Sequence, residues 1–364
     1  MSADEEQEPL PKSEFRTASE PLELLPLLKR VSRAFYLSIR VLPSTLREPV
    51  GLAYLLARAA DTITDTEALS PEERLGGLLA FREVVRSRRT DGGRLDNLVS
   101  LSEHQLAAAE YHLLESIPSA IGMLSNLNEN DRYLVTNIVT RLTNGMEFDL
   151  TRFPPDASGQ MRSLESRSEL DSYTYLVAGC VGEFWTRITV THTEALRSWD
   201  LEEMSAIGVR FGQALQMTNV LRDLAADLHS GRCYLPSEWL SEIGLTPQDL
   251  TDPRIGLAAR PVLARGIEVA LDHFSEAERY LVAIPQSCVR LRLSAIWPLL
   301  MGLATLERVV RSQYWLNPRV RLKVSRLWVL RMMAASLLVV HSDRLVSMWI
   351  RRLTRRVRLE VNRP

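Results

Sequence analysis

Cysteine and histidine are both scarce in this chain, and their scatter removes several kinds of chemistry at once. The three cysteines, Cys180, Cys233 and Cys288, lie far apart with no C-x-x-C spacing, which argues against a zinc site or a disulfide framework. The six histidines form no pair at helical metal-binding spacing, so any metal must be held mainly by oxygen. Net charge is nearly absent as well: 44 basic and 45 acidic residues leave a formal charge of −1, and with it no global basis for nucleic-acid binding. No apolar run reaches bilayer length, since the nearest, 327–340, is interrupted by Arg331. The acidic start from Asp4 to Glu8 has no apolar h-region behind it, so residues 1–20 read as a flexible tail and the expected location is cytoplasmic.

What the chain does have is helical periodicity. Apolar residues make up 46% and charged residues 24%, enough for a substantial globular core. Strand signals are few, and segments of period 3.6 predict helices over about 21–40, 45–67, 71–88, 101–124, 128–152, 168–192, 201–230, 257–283, 288–315 and 322–356. One all-α body over 21–343 follows, with Ser70-Pro71-Glu72-Glu73 as a capped helix start. Residues 344–364 form a basic amphipathic segment, from Arg344 to Arg358 alternating apolar residues and arginines. It can lie peripherally on an anionic membrane or dock on the core with its basic face in water.

Two carboxylate pairs carry the chemistry. Asp61 and Asp65 stand four residues apart, hence on one helix face, in the apolar setting Leu55, Leu56, Ala57, Ala59, Ala60 and Ile63. Like charges at this spacing need a cation, and Mg²⁺, with Mn²⁺ as substitute, is the natural one because it takes carboxylate oxygens and bridges to phosphate. Arg58, on the same face, offers a donor fork for phosphate. A second stripe, Gln216, Asn219, Asp223 and Asp227, repeats the pattern with amides and carboxylates but no lysine. A single such pair is common on solvated helices; two of them across a cavity would clamp a diphosphate through bridging metal. Ala178, Gly179 and Gly182 strip side-chain bulk from one helix face, to admit either another helix or a long thin ligand.

Five motifs occur together: Ser32-Arg33-Ala34-Phe35-Tyr36; Arg58-x-x-Asp61-x-x-x-Asp65; Tyr173-x-Tyr175-x-Val177-Ala178-Gly179-x-Val181-Gly182; Gln216-x-x-Asn219-x-x-Arg222-Asp223-x-x-x-Asp227; and Gly231-Arg232-x-Tyr234-Leu235-Pro236. In this order they resemble the squalene/phytoene synthase family over about residues 30–310. The resemblance implies a single-domain isoprenoid synthase helical bundle with a central cavity for two farnesyl diphosphate molecules. It also implies that Asp61, Asp65, Asn219, Asp223 and Asp227 hold the metal. Ser32, Arg33, Tyr54, Arg58, Gln216 and Arg222 would serve the diphosphates, and Val177, Ala178, Gly179 and Gly182 the prenyl chain. Tyr173 would assist proton removal or steady cationic intermediates, with Phe35 near the reacting chain.

The expected reaction joins two farnesyl diphosphates head to head into presqualene diphosphate, which NADPH then reduces to squalene. Ending without reduction, at a C30 or C40 product, is the alternative, and a non-catalytic scaffold is a third reading that retention of all four aspartates opposes. Lys323 and Arg326 are the candidates for the NADPH phosphate. Eukaryotic-type members often have extra acids where this chain has Thr64, Thr66 and Ala226, so only the minimal metal set is present.

Overall fold

The computed structural model describes residues 24–31, 33–66, 69–89, 108–153 and 161–363. Helices dominate them, as the periodicity requires. The first four are α1 (Leu24–Val31), α2 (Arg33–Val41), α3 (Ser44–Asp65) and α4 (Pro71–Ser87). Then come α5 (Ala108–Glu115), α6 (Ile117–Asn126), α7 (Glu129–Arg152) and α8 (Arg167–Thr174). A π-helical turn, Tyr175–Gly179, joins α8 to α9 (Cys180–His192), and the long α10 (Leu201–His229) follows. The rest are α11 (Ser237–Ser241), α12 (Arg260–Ala283), α13 (Val289–Arg311), α14 (Arg326–Val339) and α15 (Asp343–Val361). Among the described residues the strand content is one parallel pair, Arg162–Ser163 against Arg232–Cys233.

The helix starts have local causes. Ser70 caps α4 by accepting from Glu73 N while Glu73 returns a bond to the Ser70 backbone, a reciprocal box that satisfies two orphan donors. Asp200 caps α10 by accepting from the Glu202 and Glu203 amides. The bundle is organised by α10, which packs on α9, α12, α13 and the π-helical turn, while α7 packs on α3, α4 and α9.

Four of the expected helices are divided or interrupted, 21–40 between α1 and α2 and 168–192 at the π-helical turn among them. The segment 101–124 breaks at Ser116 into α5 and α6. The segment 322–356 begins later and breaks at 340–342, because Ser342 accepts from Leu345 N and starts a new helix. That break redirects the C-terminal helix onto the core. Val346, Ile350, Leu353 and Val357 of α15 are buried, and buried Arg292 bonds both the Ile284 carbonyl, at 2.6 Å, and Asp343 Oδ1, at 2.6 Å. Its outward charges pair with the bundle: Arg351 meets Glu278 of α12 at 3.0 Å, and Glu360 meets Arg311 of α13 at 3.1 Å. Residues 344–361 therefore complete the bundle, so docking, and not membrane contact, uses this helix's apolar stripe. One helix, Val289–Arg311, is long and apolar enough to cross a membrane, and 78% of its most apolar window is buried inside the bundle.

Candidate active site

Helix α3 sets Tyr54, Arg58, Asp61 and Asp65 one turn apart on one face. The Arg58 guanidinium donates to Asp61 Oδ2 at 2.9 Å and, through its other terminal nitrogen, to Glu110 Oε1 at 3.0 Å. On α10 the matching stripe is Gln216, Asn219, Asp223 and Asp227. Asn219 Nδ2 donates to Gln216 Oε1 at 3.3 Å, and Arg222 forks onto Asp223, with Nε at 2.8 Å from Oδ1.

The second carboxylate of each pair is treated differently. Neither Asp65 nor Asp227 has a hydrogen bond or ion pair among the described residues. Burial, then the charges of Asp61 and Asp149, raise Asp65 to about 6. Burial, then Asp223 and Asp149, raise Asp227 to about 7. Yet Asp65 is exposed to water, and the side chains of Asp61 and Asp223 are 46% and 40% accessible. Asp65 and Asp227 are partly open to water while the surrounding protein raises them.

Three residues that the sequence left without a role hold this site together. Asp149 of α7 accepts from Arg232 Nη1 at 2.9 Å and from the Tyr234 hydroxyl at 2.7 Å. The charges of Asp149 and Arg232 act on Asp65 and on Asp227 alike. The two aspartate pairs thus converge on one site, although their helices are linked through α7 and the 175–192 segment. Glu147 and Asp149 are two residues apart and so point to different sides of α7: Glu147 meets Arg82 at 2.5 Å, leaving Asp149 for the site.

Tyr173 is buried in an aromatic wall. Its ring stacks on Tyr234 at 4.7 Å and lies 6.2 Å from Phe148, while Phe153 meets Tyr234 edge-on at 5.0 Å. Burial, reinforced by the Asp149 charge, pushes the Tyr173 phenol well above its ordinary range, so it stays neutral. Just beyond it the π-helical turn directs Tyr175 to Arg141, 2.6 Å away, which also holds Glu183 at 2.6 Å. Such turns commonly mark functional segments.

The small-residue face is used for helix packing. A Cβ on Gly182 would overlap the carbonyl of Gly208 on α10, and one on Gly212 would overlap that of Ala178. A Cβ on Gly179 would press on Tyr175, Val209 and Gln213 at 3.1–3.3 Å. Gly179 and Gly182 therefore let the π-helical turn and α9 approach α10 closely, the helix-packing use expected of this face. Val177, half-buried, leans toward Gly145 of α7. Ser32 and the side chains of Arg33 and Phe35 lie outside the described residues. Lys323 and Arg326 are exposed and bond to none of the residues named above. Thr64 and Thr66 turn their hydroxyls onto the Asp61 and Thr62 carbonyls at 2.9 and 2.7 Å, adding no metal donor.

The donor set fits Mg²⁺ in one particular way. Among the described residues no three acidic, histidine or cysteine side chains close around a point, so the protein offers carboxylates in pairs and leaves the other positions to water and phosphate oxygens, the arrangement Mg²⁺ favours.

The helical bundle is of the isoprenoid synthase type. The squalene/phytoene synthase profile matches residues 28–328, and the chain belongs to that family, whose members are prenyltransferases. A bifunctional lycopene cyclase/phytoene synthase of Colletotrichum graminicola is 30% identical over 269 residues, 71% of this chain and 41% of the relative. Squalene synthase ERG9 of Gibberella zeae is 28% identical over 295 residues, 81% and 60% of the two chains. The matched region thus spans from about two fifths to three fifths of these two curated relatives. Among solved structures, a ligand complex of TcSQS superposes with a TM-score of 0.73 at 23% identity, covering 93% of this chain and 95% of that one. A dehydrosqualene synthase gives 0.54 at 20% identity, covering 86% and 95%.

Proposed function

We propose that the protein joins two farnesyl diphosphates head to head into presqualene diphosphate and reduces that intermediate with NADPH to squalene. What supports this reading is that Asp61/Asp65 and Asp223/Asp227, with Arg58 and Arg222 beside them, share the neighbours Asp149 and Arg232, next to the aromatic group of Tyr173, Tyr234 and Phe148. Departure of diphosphate from an allylic carbon leaves a delocalised cation, which needs an anion-holding end and an aromatic wall that will not trap it.

Mg²⁺ held by Asp61, Asp65, Asn219, Asp223 and Asp227 would neutralise the leaving diphosphate. Arg58 and Arg222 keep the first carboxylate of each pair in place and present their remaining N–H groups to phosphate oxygens. The double bond of the second substrate attacks the cation, a proton leaves, and the cyclopropylcarbinyl diphosphate forms with one diphosphate released. Tyr173, neutral and stacked, can accept hydrogen bonds and face the cation without adding to it. After loss of the second diphosphate the cyclopropylcarbinyl cation rearranges, and NADPH, when bound, would supply the hydride that opens the ring to squalene. Lys323 and Arg326 would take the NADPH phosphate.

The phytoene synthase relatives favour a second reading, in which the reaction ends by proton loss without a reductant. Incubation of the purified protein with farnesyl diphosphate and Mg²⁺, with and without NADPH, distinguishes the two by product mass. Squalene made only with NADPH supports the reductive reading; a dehydrogenated C30 product formed equally in both overturns it.

A further inference from the structure

Helix α14 is inserted with its apolar side outward. Its inner face sets Ser336 against the core, where it accepts from Trp297 Nε1 at 2.9 Å, and buries Met332 beside it. Its outer face carries Leu327, Leu330, Ala334 and Leu338 at spacings of three, four and four, with Leu337 alongside. Leu330 is 63% and Leu338 82% exposed. A soluble bundle does better with leucines inward and serine outward, so this arrangement marks a surface meant to be covered.

The charge around it says by what. From Ser312 to Ser342 the chain has no acidic residue and five basic ones, Arg319, Arg321, Lys323, Arg326 and Arg331, and the last four are exposed on or just before α14. We propose that the outer face of α14 docks on an anionic lipid surface, its leucines entering the headgroup boundary and Arg319, Arg321 and Arg331 of its basic rim meeting lipid phosphates. A second copy fits poorly, because an isologous contact would press two acid-free basic rims together. The acidic segment from Asp4 to Glu8 matches the charge but brings no apolar face. This inference is independent of the product the active site makes.

The test is co-sedimentation of the full chain with phosphatidylcholine vesicles, with and without phosphatidylglycerol, beside the variant Leu330→Glu/Leu338→Glu. Both positions are exposed and outside the catalytic machinery, and an unchanged thermal melt checks that the variant folds. The expected result is binding to the phosphatidylglycerol vesicles that weakens with salt and falls about tenfold per leucine removed. Equal binding by wild type and variant overturns the proposal. So does wild type that ignores anionic vesicles, that binds them only after residues 1–20 are removed, or that forms a dimer abolished by the two substitutions.

Discussion

The two aspartate pairs are built on one plan and differ in their company. In each, the leading carboxylate is held by an arginine of its own helix, Arg58 for Asp61 and Arg222 for Asp223, and the trailing carboxylate has no partner among the described residues. On α3 the arginine is shared with Glu110, whereas on α10 it is committed to Asp223 alone among the acids. Asp65 remains open to water, while Asp227 is half-buried and more strongly raised. The contrast teaches that the protein neutralises half of its site and leaves the other half charged for a ligand. Asp149 and Arg232 are what the halves share.

Removing a leading carboxylate breaks the plan most severely. Asp61→Asn and Asp223→Asn should each lower turnover roughly 10³-fold while leaving the helical circular dichroism signal unchanged. Next is the shared element: Asp149→Asn releases both Arg232 and Tyr234, and kcat should fall about 10²-fold with a smaller change in KM, as expected for lost positioning.

The third prediction separates the two helices. Gly182→Ala forces α9 away from the Gly208 backbone of α10. Stability should fall by ~2 kcal/mol or more in denaturant titration. Side-chain deletions on α10 should not recover it, because the clash is with the backbone of Gly208 and Val209.

The smallest effect concerns pH. The folded pKa values of Asp65 and Asp227, about 6 and about 7, lie above the ordinary 3.8. Their folded state binds protons more tightly than the unfolded chain. The stability they contribute is complete below about pH 4 and is lost as pH rises through about 6 to 7. In a chelator the melting temperature should therefore decline by a few degrees across that window relative to Asp65→Asn/Asp227→Asn. Added Mg²⁺ should restore it most at the alkaline end, and a gain largest at pH 5 would contradict the assignment.

Much of this was legible in the sequence, for identifiable reasons. Helical spacing sets Asp61 with Asp65 and Asp223 with Asp227 whatever the tertiary structure does, so both pairs could be read directly. Asp149 could not, because its role comes from partners 83 and 85 residues away, and no local period records that. The Gly179–Gly182 face was ambiguous for a similar reason: small residues fit a ligand or a helix equally, and only the position of Gly208 decides. Residues 344–358 had the pattern of a membrane-surface helix, but the break at Ser342 turns their stripe inward. The run 327–340, too short and too interrupted to span a bilayer, forms much of α14, whose leucines are left outside.

The central claim is that the carboxylates of α3 and α10 act as one site. Diphosphate release from farnesyl diphosphate in the presence of Mg²⁺, measured for Asp61→Asn, Asp223→Asn and the double variant, tests it most directly. One site predicts that both single variants and the double variant fall to the same floor, because either loss disables the shared chemistry. A single variant releasing diphosphate at the wild-type rate, or losses that simply multiply in the double variant, would contradict it.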